Sequence, residues 1–432
     1  MKFQINAKCL ATALAASCKI ADKRGHSPVL TMIKVTARAS CIELTATDLD
    51  VCQTVRVPAD VQTQGVTLLP AHSLLAFVKS LPVSGTMQLE TVETEKDYHG
   101  AAQRDGAALH MSDGKWRFAG KHKAECSDSE TSGEAAKKYC ELANIGPDSK
   151  GVATVSCGSA RLNLNYGAIG DWPEFKGLPM DCAAFELAAP DFLNALDRTT
   201  FAISSEETRY YLNGIFLHVT EGLLRLVATD GHRMAIADLP APAIEGMFPA
   251  VIVPRLAVEN LNRLLKKVTA PVRVAISGPQ STWTIEARDG TVTTFETKHI
   301  DGTFPDYSRV VPSANDKFAT IDRAAFSDAV KRISSGLRGS QSRGSALKLL
   351  FSQGELKISR TNADIGNASE SLPCDFDAFP LEIGFNAMYL ADAIEATDGQ
   401  DVLLSLYDPG SPTLIAARRG ASNRSVLMPM RI

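Results

Sequence analysis

One pattern recurs three times along the 432 residues, and it limits the fold more than any other feature of the chain. Each copy opens with a short alternating strand and an amphipathic helix: FQINAKCLATALAAS from Phe3, FELAAPDFLNALDRT from Phe185 and ATIDRAAFSDAVKRI from Ala319. Apolar residues return at helical spacing (Leu10, Leu14, Cys18; Phe192, Leu196; Phe326, Val330, Ile333), which gives each helix one face to bury. A strand running into a polar turn follows: CIELTATDLD from Cys41, LLRLVATDGH from Leu223 and ELKISRTNAD from Glu355. The Thr-Asp and Thr-Asn pairs suit turns because their side chains bond the local backbone. A second strand–helix unit comes next: VTLLPAHSLLAFVKSL from Val66, VIVPRLAVENLNRLL from Val251 and LEIGFNAMYLADAI from Leu381. Repeated units of this kind bury their apolar faces against one another.

The turn threonines Thr47, Thr229 and Thr361 stand 182 and 132 residues apart, so the first copy carries an insertion. Its place is near residues 94–150, between TMQLETV and VATVSCGSARLNLNY, where charge, Ser and Gly dominate. Within it, ALHMSDGKWRFAG predicts a hairpin and GEAAKKYCEL a helix. The whole predicts an α+β fold of three repeated units, each with two helices packed on a largely antiparallel sheet. They span 1–180 (with the insertion at about 94–150), 181–313 and 314–432, with a Trp-Pro or Phe-Pro turn before each boundary.

Composition narrows the function classes. Hydrophobic content of 45% with 22% charged residues is that of a soluble globular chain. No stretch approaches the roughly 20 apolar residues of a membrane helix, and MKFQINAKCL lacks the features of a signal peptide. The nine cysteines are scattered and never spaced CxxC, which points to free thiols in a reducing compartment. A cytoplasmic location is the expectation. The net charge of −4 excludes a strong static grip on phosphates over the whole surface, so contact with nucleic acid needs a local basic face.

The helices supply candidates for such a face. Lys19, Lys23 and Arg24 end the first helix of copy one. Arg255, Arg263, Lys266 and Lys267 lie on the second helix of copy two, and Arg323, Lys331, Arg332 and Arg338 on the first helix of copy three. Ordinary solvated helix faces are the alternative, and Asp392, Glu395 and Asp398 on the last helix run against the pattern. Units joined head to tail either run on as a filament or close into a ring.

At this point the chain resembles the bacterial DNA polymerase III sliding clamp, the beta subunit. The resemblance is carried by RYYLNGIFLHV (209–219), LVATDGHRMA (226–235), VIVPR (251–255), DGTFPDYSRVVP (301–312), IGFN (383–386) and the terminal VLMPMRI (426–432), in order and in register. Copy one matches more weakly, through MKF, the Arg24 region and TATDLD, and residues 94–150 fall outside the match. The resemblance implies a DNA sliding clamp and processivity factor. Three clamp domains per chain would form half of a closed ring, a head-to-tail homodimer around double-stranded DNA. Inner helices would meet phosphates without reading sequence, and topology would do the tethering. The residues 161–166 and 368–372 are the candidates for the dimer contact.

The resemblance also implies a cleft between copies two and three that takes short peptide motifs from DNA polymerases, the clamp loader and repair proteins. The matching positions are Leu212, Thr229, Gly231, His232, Arg233, Met234, Pro305, Arg309, Val310, Asn386, Tyr389, Val426, Met428, Pro429, Met430 and Arg431. A surface of Leu, Val, Met and Pro offers apolar anchoring, and methionine adapts to varied ligands. A strand of the core is the other reading of VLMPMRI, although a proline inside a strand marks an edge. Met234 and Ile432 stand where the family usually has leucine, which conserves volume.

Two further readings compete. Asp230 and His232 invite an acid–base role, but no nucleophile elbow and no metal-binding carboxylate cluster accompanies them, so no enzyme, cofactor or metal is expected. The insertion motivates a specialised clamp paralogue with altered partner choice. Its His99, His110, His122, Cys126 and Cys140 fit no standard zinc spacing.

Overall fold

The computed structural model describes the chain except residues 24–26, 98–101, 104–106, 113–114, 120–126, 130, 143–147, 168, 176, 180–181, 267, 337–345, 363–364 and 432. It divides into two compact units: Met1–Gly177 with Trp283–Glu296, and Leu178–Thr282 with Thr297–Ile432.

In the first unit, helix α1 (Ala7–Ser17) starts at Asn6, whose side chain accepts from the backbone of Lys8 and Cys9. That cap satisfies amides the helix leaves unpaired. It buries Leu10, Ala13, Leu14 and Ser17 and packs against α2 (Ala71–Ser80), which buries Leu74 and Val78. Beneath lie two antiparallel arrays. One orders the strands Ala160–Tyr166, Asp148–Cys157, Thr86–Asp97, Lys2–Asn6 and Asp60–Thr63; the other runs Val51–Pro58, Cys41–Thr47, Met32–Ala37, Gly65–Pro70. Alternation sets the faces: in Lys2–Asn6, Phe3 and Ile5 point inward.

The insertion grows from the tip of the hairpin formed by Thr86–Asp97 and Asp148–Cys157, which pair out to Asp97 opposite Asp148. At its inner end Gly151 is required by close approach, because a Cβ there would stand 2.2 Å from the carbonyl oxygen of Val92. Beyond the tip, Ala108–Ser112 pairs with Lys115–Ala119, and Lys115–Ala119 with Ser127–Ser129. Helix α3 (Ser132–Leu142) closes a small core of Ala102, Ala107, Ala135, Ala136, Tyr139 and Cys140, with Trp116 against it. His99, His122 and Cys126 lie outside the described residues.

The second unit holds two helix pairs: α4 (Ala189–Thr199) on α5 (Arg255–Leu265), and α6 (Arg323–Gly336) on α7 (Ala387–Glu395). A nine-stranded antiparallel sheet joins copies two and three. Its order is Val251–Pro254, Gly214–Thr220, Leu223–Thr229, Arg233–Pro240, Asn423–Leu427, Thr413–Ala416, Asp401–Leu406, Lys317–Asp322, Asp375–Phe376. The seam is the pairing of Arg233–Pro240 with Asn423–Leu427, Met234 opposite Val426. A four-stranded sheet (Gly366–Pro373, Glu355–Asn362, Ala346–Ser352, Leu381–Asn386) completes copy three around Phe326, Phe351, Phe376 and Phe385. The eight cysteines among the described residues are free thiols.

Candidate functional site

The seam creates the cleft. Thr229 faces Met234 across one strand pair and Met234 faces Val426 across the next, so the three side chains share a sheet face. Met234 and Val426 join Leu212, Val227, Ile236, Ile252 and Phe304 in a buried apolar floor. A cavity of about 260 Å³ opens over that floor, lined by the expected Leu212, Thr229, Gly231, Arg233, Met234, Pro305, Val310, Val426 and Met428. Arg209, Tyr211, Asp306 and Tyr307 also line it; they lie inside the segments quoted from the sequence but were not singled out there.

The turn at 229–233 builds one rim. The Thr229 hydroxyl donates to the Arg233 carbonyl at 2.7 Å and accepts from Gly231 N–H at 3.1 Å. Asp230 Oδ1 accepts from the backbone of His232 and Arg233, and its Oδ2 accepts from the Arg233 guanidinium. Asp230 is thus a turn-capping residue and holds the His232 backbone. Gly231 sits at φ 88°, and a Cβ there would meet Arg209 Nη1 at 2.5 Å.

The other expected residues, His232, Arg309, Asn386, Tyr389, Pro429, Met430 and Arg431, lie outside the lining of this cavity. Tyr389 lies under the Arg233 guanidinium, 4.3 Å from it, and the His232 ring is 6.2 Å from that of Tyr389 at 23°. Asn386 caps α7 by accepting from Met388 and Tyr389 N–H. Arg309 is exposed and pairs with Asp306 at 2.8 Å. The tail turns away after Met428, whose N–H donates to the His232 carbonyl. Pro429, Met430 and Arg431 then line a second cavity of about 570 Å³ with Glu382, Ile383, Gly384, Pro409 and Gly410. Met430 N–H donates to the Gly384 carbonyl at 2.7 Å.

The sequence matches models of the DNA polymerase III beta subunit in three stretches: the N-terminal domain over residues 1–105, the central domain over 186–306 and the C-terminal domain over 308–431. The chain belongs to the DNA polymerase III beta subunit family. It is 31% identical to the beta sliding clamp of Caulobacter vibrioides and 28% identical to that of Pseudomonas putida, in both cases over the full length of both chains. Among solved structures, a sliding clamp (DNA polymerase III subunit beta) from Bartonella birtlesii bound to griselimycin superposes with a TM-score of 0.80 at 30% identity, covering 100% of both chains. The beta sliding clamp of Caulobacter crescentus gives 0.79 at 29% identity, covering 100% of this chain and 99% of the other. The fold is that of the family, three clamp domains of mixed helix and antiparallel sheet, and sliding-clamp function follows from that membership.

The basic residues singled out on this beta-family chain divide into two sorts. Lys19, Lys23 and Lys266 are exposed and have no ion-pair partner among the described residues. Arg255 instead donates to the Ile203 carbonyl, Arg263 to Asn260 and Arg332 to both oxygens of Glu370. Lys331 stands 3.9 Å from Glu395. Arg24 and Lys267 lie outside the described residues. The acidic run of α7 and its end is neutralised locally: Asp392 by Arg233, Glu395 by Lys331, Asp398 by Arg198 at 2.7 Å.

Proposed function

We propose that two copies of this chain join head to tail into a ring around duplex DNA, and that the apolar cleft receives short peptide segments of DNA polymerases, the clamp loader and repair proteins. The observation that carries the peptide reading is the meeting of Leu212, Met234, Val426 and Met428 in one cavity with an open mouth, where Val310 is 47% and Met428 37% exposed. Apolar surface in a small concave site with polar groups on its rim is suited to anchoring a ligand side chain. The ring reading is supported by two strands that end their sheets, Ala160–Tyr166 and Gly366–Pro373. A sheet edge presents unpaired backbone groups, and two unlike edges on one chain suit a head-to-tail joint that closes. In this reading the domains span 1–180, 181–313 and 314–432, the chain works in the cytoplasm, and it does no chemistry of its own. Among the described residues no helix is long and apolar enough to cross a membrane.

Two measurements test the proposal. The mass in solution should be twice the 46.3 kDa of one chain. Protein loaded on closed circular DNA should stay bound at high salt and leave once the circle is cut. Equal retention on cut and closed DNA contradicts topological tethering.

A further inference from the structure

We propose that His218, acting through Tyr307, is a positioning residue for the cleft, fixing the pose of the 304–310 wall. This rests on the reading of the cavity as a peptide site. Tyr307 and Val310 bound one 3-10 turn, Tyr307–Val310, and both line the cavity. Among the described residues, the hydrogen bonds that tie 304–310 to the sheet end on the Tyr307 hydroxyl: 2.9 Å from His218 Nε2 and 3.4 Å from Arg225 Nη1. Phe216, two residues before His218 on the same face, stacks on both His218 and Phe304, at 4.7 Å and 4.8 Å between ring centres.

The partners behind Tyr307 are themselves held. His218 is the direct cross-strand neighbour of Arg225, and Arg225 of Asp238. Arg225 donates two bonds to the Asp238 carboxylate, which accepts a third from Arg424 on the next strand. These side chains occupy the same sheet face as Thr229, Met234 and Val426, by strand alternation. One end of that face is therefore the apolar floor of the cleft, and the other a fixed polar ladder on which Tyr307 is hung.

The proton positions follow from the donors. A guanidinium only donates, so the Tyr307 oxygen accepts from Arg225, and its single proton goes to His218 Nε2. The arrangement that gives every group a partner leaves that nitrogen unprotonated, with the imidazole proton on Nδ1. Burial and the neighbouring Arg225 both hold His218 below the usual histidine range, with Asp238 and a backbone hydrogen bond at Val219 opposing them. The strand on the other side of His218, Val251–Pro254, brings no titratable group. A second proton on His218 would place donors on both sides of the Tyr307 oxygen and leave the phenol proton without an acceptor. The wall should then loosen in acid.

The test uses the full chain and a rhodamine-labelled hexapeptide ending in two leucines, with affinity read by anisotropy at about pH 8 and at about pH 5, the lower value lying below the usual histidine range. Parent protein should bind more weakly at the lower pH. Tyr307→Phe should weaken binding about tenfold and flatten the pH profile. His218→Gln, which offers an amide oxygen to the phenol, should keep binding within about threefold and lose the pH dependence, whereas His218→Ala should behave like Tyr307→Phe. If Met428→Glu abolishes binding but Tyr307→Phe binds like the parent, this proposal falls alone. A peptide that binds parent and Met428→Glu alike overturns the peptide reading and this proposal with it. Should Tyr307→Phe fail to fold, the parent decides: an affinity unchanged between the two pH values overturns the proposal.

Discussion

Arg233 donates to Asp392 at 2.5 Å across 159 positions of sequence, and the same guanidinium holds Asp230 at 3.0 Å. One side chain thus ties the turn that rims the cleft to helix α7, with the Tyr389 ring beneath it. Arg233 is only 12% exposed at its side chain, so removing it leaves two carboxylates near each other with their counter-charge gone. Arg233→Ala should cost about 2 kcal/mol, less than a fully buried pair because Asp392 is partly solvated. Arg233→Lys should recover less than half of that, since lysine keeps the charge but not the planar fork or the stacking. A fall in the urea midpoint at unchanged slope is the measurement.

Asp238 gives a prediction in pH. Burial alone would raise its carboxyl, but hydrogen bonds from Arg225 and Arg424 outweigh burial and hold it below the usual carboxylate range. A pKa depressed in the folded state adds stability that is complete above the unfolded value, near 4, and is lost as pH falls through the folded value. Asp238→Asn should therefore destabilise by about 3 kcal/mol at neutral pH, leaving two arginines facing each other. The gap between parent and variant should shrink steadily on the acid side of about pH 4. Thermal midpoints across a pH series read this directly; a gap independent of pH rules the linkage out.

The periodic parts of this structure were legible because their signals are local. Leu10 and Leu14, or Phe3 and Ile5, reveal a face through spacing alone. Partnerships between distant strands leave no such trace. The terminal VLMPMRI could be read as core or edge, and it is both in succession: Asn423–Leu427 sits in mid-sheet, and the tail leaves the sheet with Met428 and Pro429. Counting charge along one helix also misleads. Asp392 and Asp398 looked like obstacles to a basic face, yet their partners Arg233 and Arg198 come from copy two. Arg255 and Arg263 looked free but bond within their own surroundings. Tyr307 stood inside a quoted segment, but its role needs His218 and Arg225, which only the fold brings near.

Gly231 is the weak point of the rim to any added carbon. Its φ of 88° strains other residues, and a Cβ would displace Arg209 from its place beside the turn. Gly231→Ala should cost about 1–2 kcal/mol and widen the cleft mouth. Because the obstacle is the end of a flexible arginine, the double variant with Arg209→Ala should lose less than the two single effects combined. A double-mutant cycle on the urea midpoint checks that coupling.

Of the basic residues singled out from the sequence, Lys19, Lys23 and Lys266 are exposed and have no ion-pair partner among the described residues, which makes them the first to test against phosphates. Changing all three to alanine should leave the urea midpoint unchanged, since the side chains reach solvent. On a short duplex with open ends, where topology does not hold the protein, the slope of log affinity against log salt should fall by about 0.9 for each lysine that meets a phosphate. Arg332→Ala should change the slope less, because Glu370 already occupies that guanidinium. Equal effects from Arg332 and the lysines would mean that the Glu370 pair opens on DNA.

The insertion is built so that it can be removed. Among the described residues, its core of Ala102, Ala107, Ala135, Ala136, Tyr139 and Cys140 draws on residues of the insertion itself, with Trp116 packed on it. The hairpin below it pairs out to Asp97 and Asp148, and Phe3 with Leu89 anchors that sheet from the other side. Replacing 98–147 by Asn-Gly supplies a two-residue turn of the kind that closes such hairpins. Two aspartates would then face each other beside the turn, which is unfavourable, so Asp148→Lys should accompany the deletion. The shortened chain should keep its thermal midpoint within a few degrees, its mass in solution and its peptide affinity. A chain that folds but loses only its dimer mass would show that the insertion contributes to the joint between copies. One that loses only peptide affinity would show that the insertion helps a partner to dock.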